Sequence, residues 1–313
     1  MPVCLSHPRR LPRGSLLPLW TILFALTTCT PPEAKIDFNS EQVHRILAHS
    51  PLDPIPENPT NKVQRNPIAS ELGHALFFSP LLSPHSLSCS DCHQPNYDWS
   101  DNRPLAQGVG LSSRNTTSLW NVAYNRWQLW DGRADTLWAQ ALKPIESTTE
   151  MDSSRLFTAH AVFNAPHLKE LYEAVFGTMP PMNQLDRFPD RGRPMPSDPG
   201  NPLNLNWNKM SPADQHAINV VFTNIGKAIE AFEIKIIAQD SDFDQFVRGL
   251  RENNPHLQAA LSREEQYGLA LFMGKAKCFL CHTGPNFSDG EFHNIGLGPH
   301  PTLAIDPGRH NGV

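Results

Sequence analysis

Residues 89–93 read C-S-D-C-H and residues 278–282 read C-F-L-C-H. Two thiols three positions apart, followed at once by an imidazole, suit three chemistries. They can hold zinc, cycle as a redox disulfide, or form thioethers to the two vinyl groups of a haem whose iron the histidine then ligates. A zinc ribbon places its two pairs about 15–20 residues apart, whereas most of the chain separates these. A thioredoxin-type pair sits in a βαβ context, and the chain has no good run of alternating β-branched residues. The spacing favours two covalent c-type haems. Cys89, Cys92, Cys278 and Cys281 are then the attachment residues, and His93 and His282 the iron ligands. The chain has six cysteines. The other two, Cys4 and Cys29, lie near the N-terminus, so none is left for a disulfide framework.

The elements that must position these motifs read as helices. "GHALFF" (Gly73 to Phe78) precedes the first motif and "GLALFM" (Gly268 to Met273) the second; "QPNYDWSD" and "TGPNFSD" follow them. The shared G-x-A-L-F and P-N-aromatic patterns indicate an internal duplication with one prosthetic site per copy. Ser211 and Pro212 predict a helix N-terminus, with Ile218, Val221, Phe222, Ile225, Ile229, Phe232 and Ile236 at helical spacing. Ser262 and Glu265 predict a capping box. The expected fold class is mainly α, with two cytochrome c-like domains and long loops. Residues 67–250 would carry the first haem and 251–313 the second. A Pro-rich stretch, 179–208, reads as a loop or insertion.

The N-terminus resembles an export signal. Arg9, Arg10 and Arg13 precede a short apolar core from Ser15 to Leu26, and "LTTC" ending at Cys29 resembles a lipobox. Residues 1–29 are therefore expected to be a signal peptide or lipoprotein signal, with a possible lipid anchor at Cys29, residues 30–66 an extension, and the periplasm the destination. The net charge of −5 gives no electrostatic case for nucleic acid.

Between the two motifs runs "GVGLSSRNTTSLWNVAYNRWQLWDGRADTLWAQALKPIESTTEM". With its Gly-rich loop ending in Arg114-Asn115, the "WDGRAD" block, the Glu-Met that follows and "FHNIGLG" after the second motif, the chain resembles the bacterial dihaem cytochrome c peroxidase superfamily, including its MauG-like branch. The resemblance covers roughly residues 68–308 and is weakest in the Pro-rich stretch. It implies a peroxidatic haem at Cys89, Cys92 and His93 and an electron-transfer haem at Cys278, Cys281 and His282. It also implies Glu150 as the distal acid/base, with Glu146 as its in-sequence rival, and Gln140 as a hydrogen-bonding distal residue. Trp130 would lie between the haems and Asn115 would ligate calcium. Asp131 and Arg133 would be structural or bind propionates.

Two departures from the pattern stand out. The peroxidase branch has a histidine in the Gly-rich loop that blocks the first iron until reduction; here Gln107 takes that place, so the iron is expected to be open without activation. No Met or Tyr follows Met273, so the sixth ligand of the second haem is expected past Val313. His293, His300 and His310 are weaker candidates. The implied activity is an exported peroxidase. It would reduce hydrogen peroxide with electrons from a small periplasmic donor such as a cytochrome c or cupredoxin. The alternatives are a MauG-like oxidase acting on a residue of a partner protein and a non-catalytic dihaem electron carrier.

Overall fold

Capping residues followed by proline set where several helices begin. The computed structural model describes residues 36–298, 301 and 305–312. The proposed signal, with Cys4 and Cys29, lies outside the described residues, as does His300. Helix α1 spans Ser40–Leu47, α2 Pro67–Phe77, α3 Cys89–Cys92, α4 Leu137–Glu146, α5 Arg155–Asn164 and α6 Pro166–Phe176. Then come α7 Pro202–Lys209, α8 Pro212–Glu233, α9 Asp242–Arg251, α10 Pro255–Gln258 and α11 Arg263–Phe272. Helices α2, α7, α8 and α10 each pair an Asn or Ser cap with proline at the first position, where proline's missing N–H costs nothing. Part of the high proline content therefore starts helices instead of extending loops. Among the described residues only isolated β-bridges occur, and the mainly α class is the one observed.

From Phe38 onward the chain packs as one unit, with two clusters of apolar side chains. The larger gathers α2, α4, α5, α6 and α8, with Leu72, Leu76, Ile145, Leu156, Ile218 and Ile225 fully buried. The smaller joins Ile46 of α1 to Phe246 and Val247 of α9 and to Leu269 and Met273. The N-terminal stretch thus reaches the second motif: Gln42 Nε2 donates to Ala270 O at 2.9 Å, and Arg45 donates to Met273 O at 2.6 Å. The Pro-rich stretch departs from its loop reading. Its last part is α7, and Met179, Met182 and Phe188 are buried in the larger cluster. Their apolar side chains fold it onto the core, which local turn composition does not reveal.

The two G-x-A-L-F copies differ in constraint. A Cβ on Gly73 would lie 1.9 Å from Ala228 O, because α2 and α8 touch backbone to backbone; a Cβ on Gly268 would meet open space. Gly73→Ala is expected to destabilise by about 1–3 kcal/mol or more through overpacking. Gly268→Ala is expected to stabilise by roughly 0.5–1 kcal/mol, since α11 gains a better helix former. Denaturant melts of the two variants check the opposite signs.

Candidate active site

Helix α3 is a single turn that places Cys89 and Cys92 on consecutive windings, with His93 as its C-cap. Asp91 completes a capping box with Ser88. The turn ends because His93 leaves the helical region (φ −100°, ψ 76°). His93 Nδ1 lies 3.1 Å from the carbonyl of Trp99, which makes Nδ1 the N–H nitrogen and Nε2 the lone-pair nitrogen available to a metal. Burial lowers the His93 pKa against the opposing pull of the Trp99 and Thr117 carbonyls and Asp101, which favours the uncharged ring that a metal needs. The second motif repeats the device: His282 Nδ1 stands 3.1 Å from Phe287 O. There the backbone forms a 3-10 turn over Cys278–Leu280, and His49 Nε2 bonds the His282 carbonyl at 3.1 Å.

Burial, with Glu233 and Cys92 nearby, pushes the Cys89 thiol up to about 12, and burial pushes Cys92 up to about 11. Carboxylates around both thiols, opposed only weakly by Arg103 at Cys92, are the wrong surroundings for a thiolate. The two Cys pairs do not converge either. Among the described residues the group with metal-ligand spacing is Cys281, Asp289 and His293, in which His293 is bonded to Asp289 at 2.7 Å. Among the described residues the four cysteines therefore do not gather at one zinc site.

A cavity of about 480 Å³ opens beside the first motif, lined by Cys92, His93, Asn115, Trp130, Gln140 and Glu150, among others. A smaller hollow of about 60 Å³ continues it toward Cys89 and Glu233, sharing Cys92, His93, Gly108, Gln140, Pro144 and Glu150. Two thiols on one helical turn, a neutral imidazole with a free lone pair and an adjoining cavity fit a covalent haem. Gln140 projects from α4, whose N-cap Thr136 accepts from Ala139 N. Glu150 follows α4 in a turn closed by its own N–H to Ser147 O at 3.2 Å.

The Gly-rich loop clamps that turn. Val109 N donates to Glu150 O and Gly110 N to Thr149 O, both at 2.9 Å. A Cβ on Gly108 would stand 2.5 Å from Glu150 O, so only glycine lets the loop come this close. The glycines thus serve the carboxylate position, which sequence reading did not foresee. Glu146, the rival acid, is spent on Arg155, which reaches it with both Nε (3.0 Å) and Nη2 (2.8 Å). Glu150 also borders an outer cleft of about 610 Å³ lined by Arg133, Lys143, Arg155 and Arg193.

The "WDGR" block is a tight turn, with Gln128 N bonded to Ala134 O at 2.9 Å and Leu129 at φ +69°. Trp130 sits in it, and its Nε1 donates to Asn115 O at 2.7 Å. Trp130 lines both the first cavity and a cleft whose far wall is Asn286, Ser288, Asp289 and Phe292, just after the second motif. Asp131 is buried and accepts from Arg114 at 2.7 Å and Arg133 at 2.8 Å. Burial raises its pKa, but the bonds from Arg133 and Arg114 outweigh that and leave it lowered. Arg114 also holds Asp306 bidentately at 2.6 and 2.7 Å, which brings that carboxyl down to about 2. This arginine hub joins positions far apart in sequence, and no local pattern signals it.

Asn115 gives its amide N–H to Arg103 O, and Asp131 and Asp306, which line the same cavity, are taken by Arg114. Gln107 is exposed. Its side chain folds back to Gly108 O at 3.1 Å, while its carbonyl lies 3.8 Å from Cys92 Sγ.

A family model described as di-haem cytochrome c peroxidase matches residues 67–252. The chain belongs to the di-haem cytochrome c peroxidase family. It is 31% identical over 307 residues to a cytochrome c551 peroxidase of Pseudomonas aeruginosa, covering 96% of this chain and 72% of that protein. It is 28% identical over 279 residues to a methylamine utilization protein MauG of Methylorubrum extorquens, covering 88% of this chain and 66% of that one. A solved structure of a variant of the diheme peroxidase BthA from Burkholderia thailandensis shares the fold. Its TM-score is 0.59 at 21% identity, over 79% of this chain and 61% of that one. The chain thus spans about two thirds of the length of such relatives. Membership in a di-haem family brings two haems, and the two C-x-x-C-H motifs are where this chain can attach them. No helix among the described residues is long and apolar enough to cross a membrane.

Proposed function

We propose that this family member reduces hydrogen peroxide in the cavity of the first motif, with electrons delivered through the second haem. One observation carries the reading. Glu150, held by the Gly-rich loop, lines both the cavity that contains Cys92 and His93 and the cleft leading outward. When bound, the haem supplies the redox-active iron at which the O–O bond is cleaved. His93 would hold the iron through Nε2, while its Nδ1–H stays on Trp99 O. Glu150 takes the proton from one peroxide oxygen and returns it to the other, the general acid/base role that a carboxylate at a cavity wall can fill. Gln140, on the same wall, orients peroxide through its amide. The sum is one peroxide, two electrons and two protons giving two waters.

Trp130, on the wall shared by both clefts, provides the route for electrons from the Cys278, Cys281 and His282 haem. Asp131 fixes Arg114 and Arg133 at the cavity edge, where they can meet haem propionates. The two apolar clusters are the cores of the two haem units, with α1 built into the second. Calcium at Asn115 rests on the family resemblance alone. A calcium ion needs six or more oxygen donors, and Asp131 and Asp306 on the same cavity wall are already paired with Arg114. The periplasm, with a lipid anchor at Cys29, remains the proposed location, and a cytochrome c or cupredoxin the proposed donor.

A second reading is a MauG-like oxidase that turns peroxide's oxidising power on a residue of a protein partner. It is favoured by Gln107, which is folded away on Gly108 O and leaves the first iron without a histidine from this loop. Both readings predict a ferric holoprotein with a high-spin first haem, seen by absorption and electron paramagnetic resonance. Two low-spin six-coordinate haems would overturn the open-iron assignment. Assays with reduced cytochrome c, with and without peroxide, then separate the readings. Oxidation that requires peroxide supports the peroxidase. Peroxide consumption without cytochrome oxidation favours the oxidase.

A further inference from the structure

The first cavity holds a carboxyl that the peroxide chemistry does not use. Glu233, the last residue of α8, is 4% exposed and lines the inner hollow with Cys89, Cys92 and His93. Its Oε2 is buried without a hydrogen-bond partner. That oxygen, as part of a carboxylate, has lost its water and gained no hydrogen bond in return. Burial, with Glu230 one turn earlier on the same helix, pushes the Glu233 pKa up to about 8.

Among the described residues that line the hollow there is no Lys or Arg to hold the charge. Across the hollow, α3 presents Cys89, Asp91 and Cys92, followed by His93, and the turn after α4 presents Glu150. Helix α4 itself contributes Gln140, and its Lys143 is exposed. Helix α2 carries only the exposed Glu71 and His74, and Arg155 of α5 is committed to Glu146. On α8, Lys227 lies over the Trp138 ring, while Glu230 accepts from Asn58 Nδ2 and Trp138 N. Glu233 is neither adjacent in sequence nor hydrogen-bonded to His93.

We propose that Glu233 is the proton acceptor coupled to one-electron reduction of the haem held by Cys89, Cys92 and His93. With the thiols consumed as thioethers and the imidazole neutral, the positive charge facing the inner hollow would be that of the ferric haem, since Arg114 and Arg133 line the outer cavity and are paired with Asp131 and Asp306. Reduction cancels it. An electron from a one-electron donor enters the iron, and a proton from solvent binds Glu233, so that ferric haem and carboxylate become ferrous haem and carboxylic acid. One O–H bond forms on Glu233 and one breaks in the solvent acid that gives up the proton. This inference rests on the haem at the first motif and not on peroxide turnover. It can stand or fall while the peroxidase reading does the opposite.

The test is spectroelectrochemical titration of the first haem in the full-length holoprotein, on both sides of pH 8. In the unsubstituted protein the constant for reduction is expected to fall by up to tenfold per pH unit, about 59 mV for a one-electron step. Glu233→Gln is expected to flatten the dependence. Glu230→Gln is expected to keep it but move it to lower pH, because a neighbouring negative charge is gone. Infrared difference spectra of the unsubstituted protein are expected to show a protonated-carboxyl band gained on reduction, a readout that does not depend on any variant assembling. A flat dependence without substitution, absence of that band, or an unchanged slope in Glu233→Gln overturns the proposal. So does a slope abolished by Glu150→Gln in its place.

Discussion

Replacing Glu150 with glutamine is expected to cut peroxide turnover by about 10²–10⁴-fold, the range for removing one positioned general acid/base. Glutamine preserves size and one acceptor but can neither take nor return the proton. The backbone clamp from Val109 and Gly110 does not involve the side chain, so the turn should keep its place. The number of covalent haems and their ferric spectra should be unchanged. Glu146→Gln serves as the control. It breaks the ion pair with Arg155 and should lower stability more than turnover. If the two variants exchange these phenotypes, the acid/base belongs to Glu146. Steady-state assays at saturating cytochrome c distinguish the cases.

Changing Cys278 and Cys281 together to alanine is expected to leave one covalent haem of the two that the family carries. Oxidation of reduced cytochrome c should then fall to background. The first cavity does not draw on these cysteines, so its ferric spectrum and its reaction with added peroxide should persist. Full donor oxidation in this variant would mean that electrons enter the first haem directly, and Trp130 would lose its proposed role. Covalent haem counted by mass, together with donor kinetics, checks both halves of the expectation.

Local signals carried the sequence reading a long way. Ser211 with Pro212 and Ser262 with Glu265 are helix starts in the structure, because caps and first-turn prolines act within four residues. The haem motifs were legible for the same reason: their chemistry is written in five consecutive positions. Contacts between distant segments were not. His49 reaching the His282 carbonyl, Arg114 joining Asp131 to Asp306, and α1 entering the smaller core all depend on chain folding that no short window contains. The Pro-rich stretch reads as a loop from its turn residues, yet three apolar side chains tie it to the core.

Glu233 had a signal that could have been used. It lies four residues after Ile229 and eight after Ile225, on the stripe that the periodicity marks as buried. A carboxyl on an apolar stripe asks for a partner, and this one has none for Oε2. Gly108 lacked such a signal, since glycine in a Gly-rich loop looks like turn chemistry until the loop is seen against Glu150.

Rapid mixing of the oxidised full-length holoprotein with peroxide, without donor, addresses peroxide chemistry at the first motif most directly. The predicted result is a spectral change of the high-spin haem whose rate rises linearly with peroxide and slows about 10²–10⁴-fold in Glu150→Gln. No change on mixing, or the same rate in the variant, would contradict a peroxide site built from His93 and Glu150.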